Sequence, residues 1–446
     1  MKDEILEILN TYPVAISRLK SLLLEMNTVD IAEIFEDLDK EEIIRLFRML
    51  PKDIASSVFT YVDSEQQQVI VEALTDMEIG EIMAKLFVDD TVDFIEEMPA
   101  SVVGRVLRNV SPERRSIINH FLQYPDHSAG SIMTTEYVGL HEDATVKEAF
   151  DVIRNTSLNK ETIYTCYVIR WDRVLLGVVS AKSIMLSLPE ERIGDIMTPN
   201  PAFAYTTDDQ EEVANLFQRY DFLAMPVVDK EQRLVGIITV DDIVDVIIEE
   251  TTEDIEKMAA LNPSEDSYLK TGIFTQSRNR IFWLMFLMLS ATITGSIITR
   301  YENALTVLPI LIAFIPMLMD TGGNSGCQSS ALIIRGLALD EIRFNNIFSV
   351  LWLELRVALI CGLVLGAVNF IRVYIMHGRD LLLCFTISIS LVATVVIAKS
   401  IGCMLPLAAK KLKFDPAVMA APLITTIADA LSLLAYFGIA ALLMGL

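Results

Sequence analysis

Two stretches place polar chemistry inside otherwise apolar sequence. The first is Pro422-Leu423-Ile424-Thr425-Thr426-Ile427-Ala428-Asp429-Ala430-Leu431, where Asp429 is the one carboxylate between Pro416 and Leu446. A carboxylate near the middle of a bilayer-spanning helix costs about 2.5–3.5 kcal/mol on insertion scales, so it must face protein or water, and a working role is the default expectation. An interhelical hydrogen bond is the plainer alternative. The second stretch is Phe314-Ile315-Pro316-Met317-Leu318-Met319-Asp320-Thr321-Gly322-Gly323-Asn324-Ser325-Gly326-Cys327-Gln328-Ser329-Ser330. Asp320 and Asn324 are spaced i,i+4 and share a helix face, while Asn324 and Gln328 supply neutral oxygens. The glycines fit close helix packing equally well. Together these residues suit cation binding at membrane depth. Asp415, just before Pro416, fits a helix N-cap with proline at the first helical position.

Acidic side chains cluster elsewhere too. Asp89 and Asp93, in Val88-Asp89-Asp90-Thr91-Val92-Asp93, lie on one helix face at i,i+4, which by itself reads as a solvated face as readily as a cation site. In Ile247-Ile248-Glu249-Glu250-Thr251-Thr252-Glu253-Asp254-Ile255-Glu256-Lys257, residues Glu250, Glu253 and Asp254 crowd neighbouring positions of consecutive turns. Like charges so placed destabilise a helix unless a cation or basic surface neutralises them.

Elements of three kinds must position these groups. After residue 270 the chain has twelve Lys+Arg against eight Asp+Glu; before it, 24 against 52. A soluble part that acidic repels nucleic acid and anionic surfaces and attracts cations. Residues 1–128 predict short amphipathic helices punctuated at Leu50-Pro51, Val62-Asp63, Leu74-Thr75, Met98-Pro99 and Val110-Ser111-Pro112, at intervals of about twelve residues or a multiple. That spacing predicts helical hairpins stacked into a superhelix. Residues 129–192 and 193–248 repeat a β/α pattern: Ile132-Met133-Thr134 answers Ile196-Met197-Thr198, and Leu176-Gly177-Val178-Val179-Ser180 answers Val235-Gly236-Ile237-Ile238-Thr239. A connecting helix and linker fill 249–277. Five apolar segments follow in 278–446, at about 281–299, 304–334, 347–374, 381–407 and 416–446, each long enough for a bilayer core. Lys and Arg favour a cytoplasmic N-terminus: Arg278, Arg280, Arg335, Arg343, Lys410, Lys411 and Lys413 flank one side, and Arg300, Arg372 and Arg379 the other. The fold class expected is multidomain: an all-α superhelix, an α/β pair and an α-helical membrane domain of five transmembrane helices. The five cysteines show no CxxC spacing, and neither a nucleophile–base pair nor a Walker-type loop points to an enzyme.

The repeated β/α unit resembles a tandem pair of CBS modules, which implies a pseudo-twofold disc and often an adenine nucleotide. That resemblance assigns Thr239 and Asp242 to a ribose, with ATP as the ligand; Ser180 and Ser183 stand at the matching places in the first copy. A CBS pair that dimerises and senses without nucleotide fits as well. The polar run Thr321-Gly322-Gly323-Asn324-Ser325-Gly326 with Gln328, together with Asp415-Pro416 and Pro422–Asp429, resembles the MgtE family of magnesium channels. The resemblance covers the whole chain. It implies a homodimer in the cell membrane that passes Mg²⁺ and is closed by Mg²⁺ on its cytosolic side. It further implies Asp429 as pore carboxylate, with Asn324 beside it, and Asp415, Glu250, Glu253 and Asp254 as a gate cluster. Glu211 and Asp221 become sensing ligands, and Asp89 and Asp93 become ligands facing Asp242. Ala421 and Asp320 depart from residues that some members carry. The alternatives are an ion- or proton-coupled divalent cation transporter and a non-conducting membrane sensor.

Overall fold

The computed structural model describes residues 2–9, 16–157, 160–264, 268, 271–339, 341–377, 380–419 and 421–445. They form two compact units, residues 1–247 and 248–446.

The first unit begins with α1 (Lys2–Leu9), α2 (Ile16–Glu25), α3 (Thr28–Phe35), α4 (Lys40–Phe47), α5 (Lys52–Tyr61), α6 (Ser64–Ala73), α7 (Asp76–Met83), α8 (Val88–Glu97), α9 (Ala100–Asn109) and α10 (Pro112–Phe121). The twelve-residue punctuation sets this order. Leu50, Val62, Leu74, Met98 and Val110 are all buried beside a helix end, and the residue after each is the N-cap of the next helix. Asp63 accepts from the Gln66 amide, Ser111 from that of Arg114, and Thr75 forms a capping box with Glu78. The period also runs through two places the sequence reading passed over. Leu38-Asp39 is one, with Asp39 capping Glu41 and Glu42. Leu86-Phe87 is the other: Phe87 has no side-chain cap, and Arg114 supplies donors to the Leu86 and Phe87 carbonyls instead. A helix plus its turn uses twelve residues, so alternate helices stack. α3, α5, α7 and α9 form one row, and α4, α6, α8 and α10 the other.

Two small sheets follow. β1 (Gly139–His141), β2 (Thr165–Ile169), β3 (Leu175–Ser180) and β4 (Thr198–Pro199) form one in that order; β5 (Ala204–Tyr205), β6 (Ala224–Val228) and β7 (Leu234–Thr239) form the other. In each, a parallel pair precedes an antiparallel pair, with matching registers Val168↔Gly177 and Val227↔Gly236. Helix α11 (Val146–Thr156) lies between β1 and β2, while α12 (Ala181–Leu186) and α13 (Ile193–Ile196) lead from β3 to β4. The leading segments are exchanged between the copies. β4 belongs by sequence to the second repeat but pairs with β3, and Thr134 of the first repeat bridges Ile237 in β7. Gly177 and Gly236 make this approach feasible. A Cβ on Gly177 would lie 2.7 Å from Met197 Sδ and from Thr198 O, and one on Gly236 equally close to Met133 Sδ and Thr134 O. Helix α14 (Gln210–Tyr220) joins β5 to β6, and α15 (Val240–Met258) follows β7 without a break. The expected connecting segment from residue 249 is therefore the second half of one continuous helix.

The second unit contains α16 (Ile273–Arg300), α17 (Glu302–Val307), a 3₁₀ turn Pro309–Phe314, α18 (Ile315–Ala338), α19 (Ile347–Met376), α20 (Leu381–Lys411) and α21 (Ala421–Met444). By length and composition four stretches among the described residues can cross a membrane: α16, α19, α20 and the Pro416–Met444 stretch that includes α21. The segment expected at about 304–334 is broken. Pro309 and Pro316 each sit at a helix start, where a missing N–H costs nothing, and α18 begins only at Ile315. At 24 residues α18 is long enough to span, but Asp320 and the serine- and glycine-rich run lower its hydropathy. Helix α20 lies at the centre, packed on α18, α19 and α21. Phe282, Leu284, Met285 and Phe286 on α16, and Leu363, Val364, Val368 and Ile371 on α19, are exposed over faces far too apolar for water.

Candidate cation sites

In the first unit, the start of α8 meets the start of α15. Asp89 and Asp90 sit in the first turn of α8, where the helix dipole favours acids. Asp89 is buried, and its Oδ1 has no hydrogen-bond partner. Burial first, then the charges of Asp90, Asp242 and Glu161, hold its carboxyl well above the usual carboxylate range. Burial likewise pushes Asp90 and Asp242 up to about 6. Asp93, nearer the rim, rises to about 7, and Glu161 to about 8 with Asp242, Asp241, Asp90 and Glu136 contributing. Arg114 is the cation these acids feel, and its donors are directed at the Leu86 and Phe87 carbonyls and Thr91 Oγ1. One guanidinium thus lies within electrostatic reach of Glu136, Asp89 and Asp90. Among the described residues no three His, Cys, Asp or Glu side chains close into a metal cage. An open acidic cleft with an orphaned carboxylate oxygen fits a hydrated divalent ion, since Mg²⁺ gives up water reluctantly.

The expected facing of Asp89 and Asp93 toward Asp242 is therefore present. Asp90 and Asp241 adjoin residues already singled out, whereas Glu136 and Glu161 carried no local signal.

A stability prediction follows from linkage. These carboxyls titrate higher folded than unfolded, so the stability they contribute is full below about pH 4 and is lost as pH rises through about 6 to 8. In Mg²⁺-free buffer, the thermal midpoint falls by roughly 5 °C or more between about pH 5 and pH 8, and added Mg²⁺ restores it. Asp90→Asn flattens both responses. A midpoint independent of pH and Mg²⁺ would refute the coupling.

Thr239 Oγ1 donates to Asp242 Oδ2, so the hydroxyl and the carboxylate expected at a ribose lie together at the β7–α15 junction. Ser180 and Ser183 repeat the arrangement, their hydroxyls 2.8 Å apart, without an acid. Glu211 and Asp221 are not brought together. Glu211 is in the first turn of α14, and Asp221 is its left-handed C-cap at φ 53°, roughly 15 Å away along the helix.

In the second unit Glu250, Glu253 and Asp254 of α15 lie close to Asp415. Asp254 is pushed up to about 6 by burial, then by Asp415, with Glu250 and Glu253 adding to the rise. Lys257, to which the sequence reading gave no role, bridges the cluster: its Nζ lies 2.7 Å from Glu253 Oε1 and 2.7 Å from Asp415 Oδ2. Asp415 also accepts from the Ala417 amide at 2.7 Å, so its capping role and its place in the cluster coexist.

Within the membrane helices, Asp320, Asn324 and Gln328 form an exposed stripe along α18, and Asn324 Nδ2 donates to Asp320 Oδ1 at 3.1 Å. Asp429 is half-buried on α21, and its charge and that of Asp320 act on each other. The glycines serve packing on the opposite side. A Cβ on Gly322 would meet Thr394 and Ser432, one on Gly326 would meet Ile424 and the Ala398 carbonyl, and one on Gly402 would lie 2.1 Å from Gly326 O. Close packing and an exposed polar stripe are thus both present on α18.

Residues 315–439 match the family described as MgtE, divalent cation transporter; residues 26–127 match the MgtE intracellular N domain, and residues 129–190 and 193–249 match CBS domains. The chain is 36% identical over 421 residues to the magnesium transporter MgtE of Bacillus subtilis, covering 94% of this chain and 93% of that one. It is 35% identical over 430 residues to the magnesium transporter MgtE of Thermus thermophilus, covering 96% and 95%. A crystal structure of the soluble part of a magnesium transporter superposes with a TM-score of 0.52 at 30% identity, covering 56% of this chain and 99% of that one. With the same domains in the same order and relatives matched nearly end to end, the chain belongs to the MgtE family of magnesium transporters.

Proposed function

We propose that this protein is a homodimeric Mg²⁺ channel of the cell membrane, with five crossings, a cytoplasmic N-terminus and an external C-terminus, shut by Mg²⁺ on the cytoplasmic side. The observation that carries the reading is that α18 packs on α21, with Gly322 against Ser432 and Gly323 against Thr425, so the hydrogen-bonded Asp320–Asn324 pair and the Asp429 carboxylate belong to one packed helix pair. A conducting site for a strongly hydrated ion needs few carboxylates and neutral oxygens, and binding weak enough to let go. An oxygen set of this kind from each of two chains meets that need. α18 serves as the fifth crossing, its polar stripe covered by protein or water rather than lipid.

Closure follows from charge. Without Mg²⁺ the acids around Asp89 and Asp242 repel, as do Glu250, Glu253, Asp254 and Asp415. Mg²⁺ favours whichever state brings each set together, by as much as its affinities for the two states differ. α15 carries Asp242 near one end and Asp254 near the other, a covalent link between the two clusters. Glu211 and Asp221 serve as further sensing ligands, one at each end of α14. ATP binds at Thr239 and Asp242.

The test is Mg²⁺ uptake by liposomes holding the full chain, with the proton gradient clamped and then imposed. Passive uptake that ignores the proton gradient is expected. Uptake that follows the gradient would establish coupled transport instead, and no uptake by folded protein would leave a sensor.

A further inference from the structure

Lys399 lies twelve residues in from the Lys411 end of α20, roughly 18 Å along the helix. It is 6% exposed, and with Asp89 it is one of the two charged residues fully buried among the described ones. Its Nζ donates to Ser329 Oγ on α18 at 3.3 Å, and Ser329 Oγ donates to Glu354 Oε2 on α19 at 2.7 Å. A hydroxyl can accept from an ammonium and donate to a carboxylate at once, so one serine joins both charges. Three helices meet in this relay.

The packing around it fixes its partners. Glu354, Ala358, Gly362 and Gly366 form a stripe on α19 at four-residue spacing. A Cβ on Gly362 would meet Val392 of α20 at 3.3 Å, and one on Gly366 would meet Val392 at 2.8 Å and the Ser388 carbonyl at 3.3 Å. The antiparallel register of those contacts brings Glu354 level with Lys399. Where α18 faces α20, Gly322 and Gly326 allow close approach at Thr394 and the Ala398 carbonyl, Ile333 and Leu337 pack with Cys403 and Leu407, and Ser329 between them carries the polar link. Ser329 is buried on that side, whereas Asp320, Asn324 and Gln328 lie on the exposed side. A charge at membrane depth is expensive unless paired, which makes an intramembrane ion pair a working feature by default.

We propose that Lys399 and Glu354 are positioning residues that clasp Ser329 and thereby fix the rotation of α18 at which Asp320 and Asn324 face the transported cation. The inference rests on the reading of α18 as lining the ion path. Neither charge touches the ion; both act through the helix.

The test uses the full chain in liposomes with Ser329→Ala, which removes the link and keeps both charges, and Lys399→Met/Glu354→Gln, which removes both charges and leaves no orphan. The double variant is expected to keep the wild-type thermal midpoint and maximal uptake rate, and Ser329→Ala, which leaves buried Lys399 without its hydrogen-bond partner, to lower the midpoint; in both, the half-saturating Mg²⁺ concentration of the folded protein rises roughly tenfold, equivalent to about 1.4 kcal/mol. Cys327, half-buried on α18, gives an independent readout: its alkylation rate, followed by peptide mass mapping, changes severalfold in both variants. Wild-type half-saturation together with wild-type Cys327 labelling would overturn the clasp, as would a fall in uptake that only tracks loss of folded protein. Should the wild type fail to take up Mg²⁺, the transport reading fails, and the labelling arm still decides whether the clasp sets α18.

Discussion

Asp429→Ala lowers Mg²⁺ uptake roughly ten- to a hundredfold in liposomes while the protein remains folded. The size follows from the loss of one charge-assisted oxygen ligand, worth about 1.5–3 kcal/mol, from the proposed ion path. The fold should tolerate the change. Asp429 sits between Ala428 and Ala430, and α21 is held through Ile424, Ala428, Leu433 and Tyr436, all buried. Alanine is also the better helix former. Asp429→Asn keeps an oxygen and should retain part of the flux. A carboxylate serving only as an interhelical hydrogen-bond partner gives the opposite pattern, with a lower thermal midpoint and near-normal uptake. Uptake within twofold of wild type in a folded Asp429→Ala protein would remove Asp429 from the pore.

Replacing Glu250 and Glu253 by Gln and Asp254 by Asn together should leave uptake that internal Mg²⁺ no longer suppresses. In the wild type Lys257 neutralises part of the cluster, lying equally close to Glu253 and Asp415. A divalent ion arriving there must share or displace that ammonium, so the threshold for closure depends on the charge left over from Glu250 and Asp254. The triple variant leaves Asp415 and Lys257 as a neutral pair with nothing to recruit Mg²⁺. Lys257→Met should act in the other direction, closing at lower internal Mg²⁺ because the acids lose their built-in competitor. Measured as uptake against internal Mg²⁺, the three proteins should order as wild type between its two variants. Unchanged suppression in the triple variant would remove these acids from the gate.

The soluble architecture was legible wherever a side chain signals its own role locally. Asp63, Thr75 and Ser111 cap the helix that follows, and a cap is a short-range fact. Leu86-Phe87 escaped notice because Phe87 brings no side-chain cap; the contact that ties this turn is Arg114, 28 residues from Leu86, donating to the Leu86 carbonyl. The same distinction governs the acidic cleft. Asp89, Asp93 and Asp242 stand in recognisable stretches, but Glu136 and Glu161 join them only through the fold. In the membrane unit, Asp429 and the α18 polar run were visible as interruptions of apolar sequence. Glu354 and Lys399 interrupt it too, but one at a time, and a lone charge in a long apolar run shows its purpose only when its partner is seen. The start of α18 shifted because two prolines, each legible alone, divide what hydropathy merges into one segment.

The exchange of leading segments between the two β/α repeats makes the pair an interlocked ring rather than two beads. Cutting the chain between Thr134 and Thr198 strips each half of contacts: the first loses β4 from the edge of its sheet, and the second loses the Thr134 bridge to Ile237. Neither half should be soluble when expressed alone, though the two produced together should recombine. A movement imposed on one repeat reaches the other by backbone pairing rather than through a soft side-chain interface, so the pair turns as a single lever.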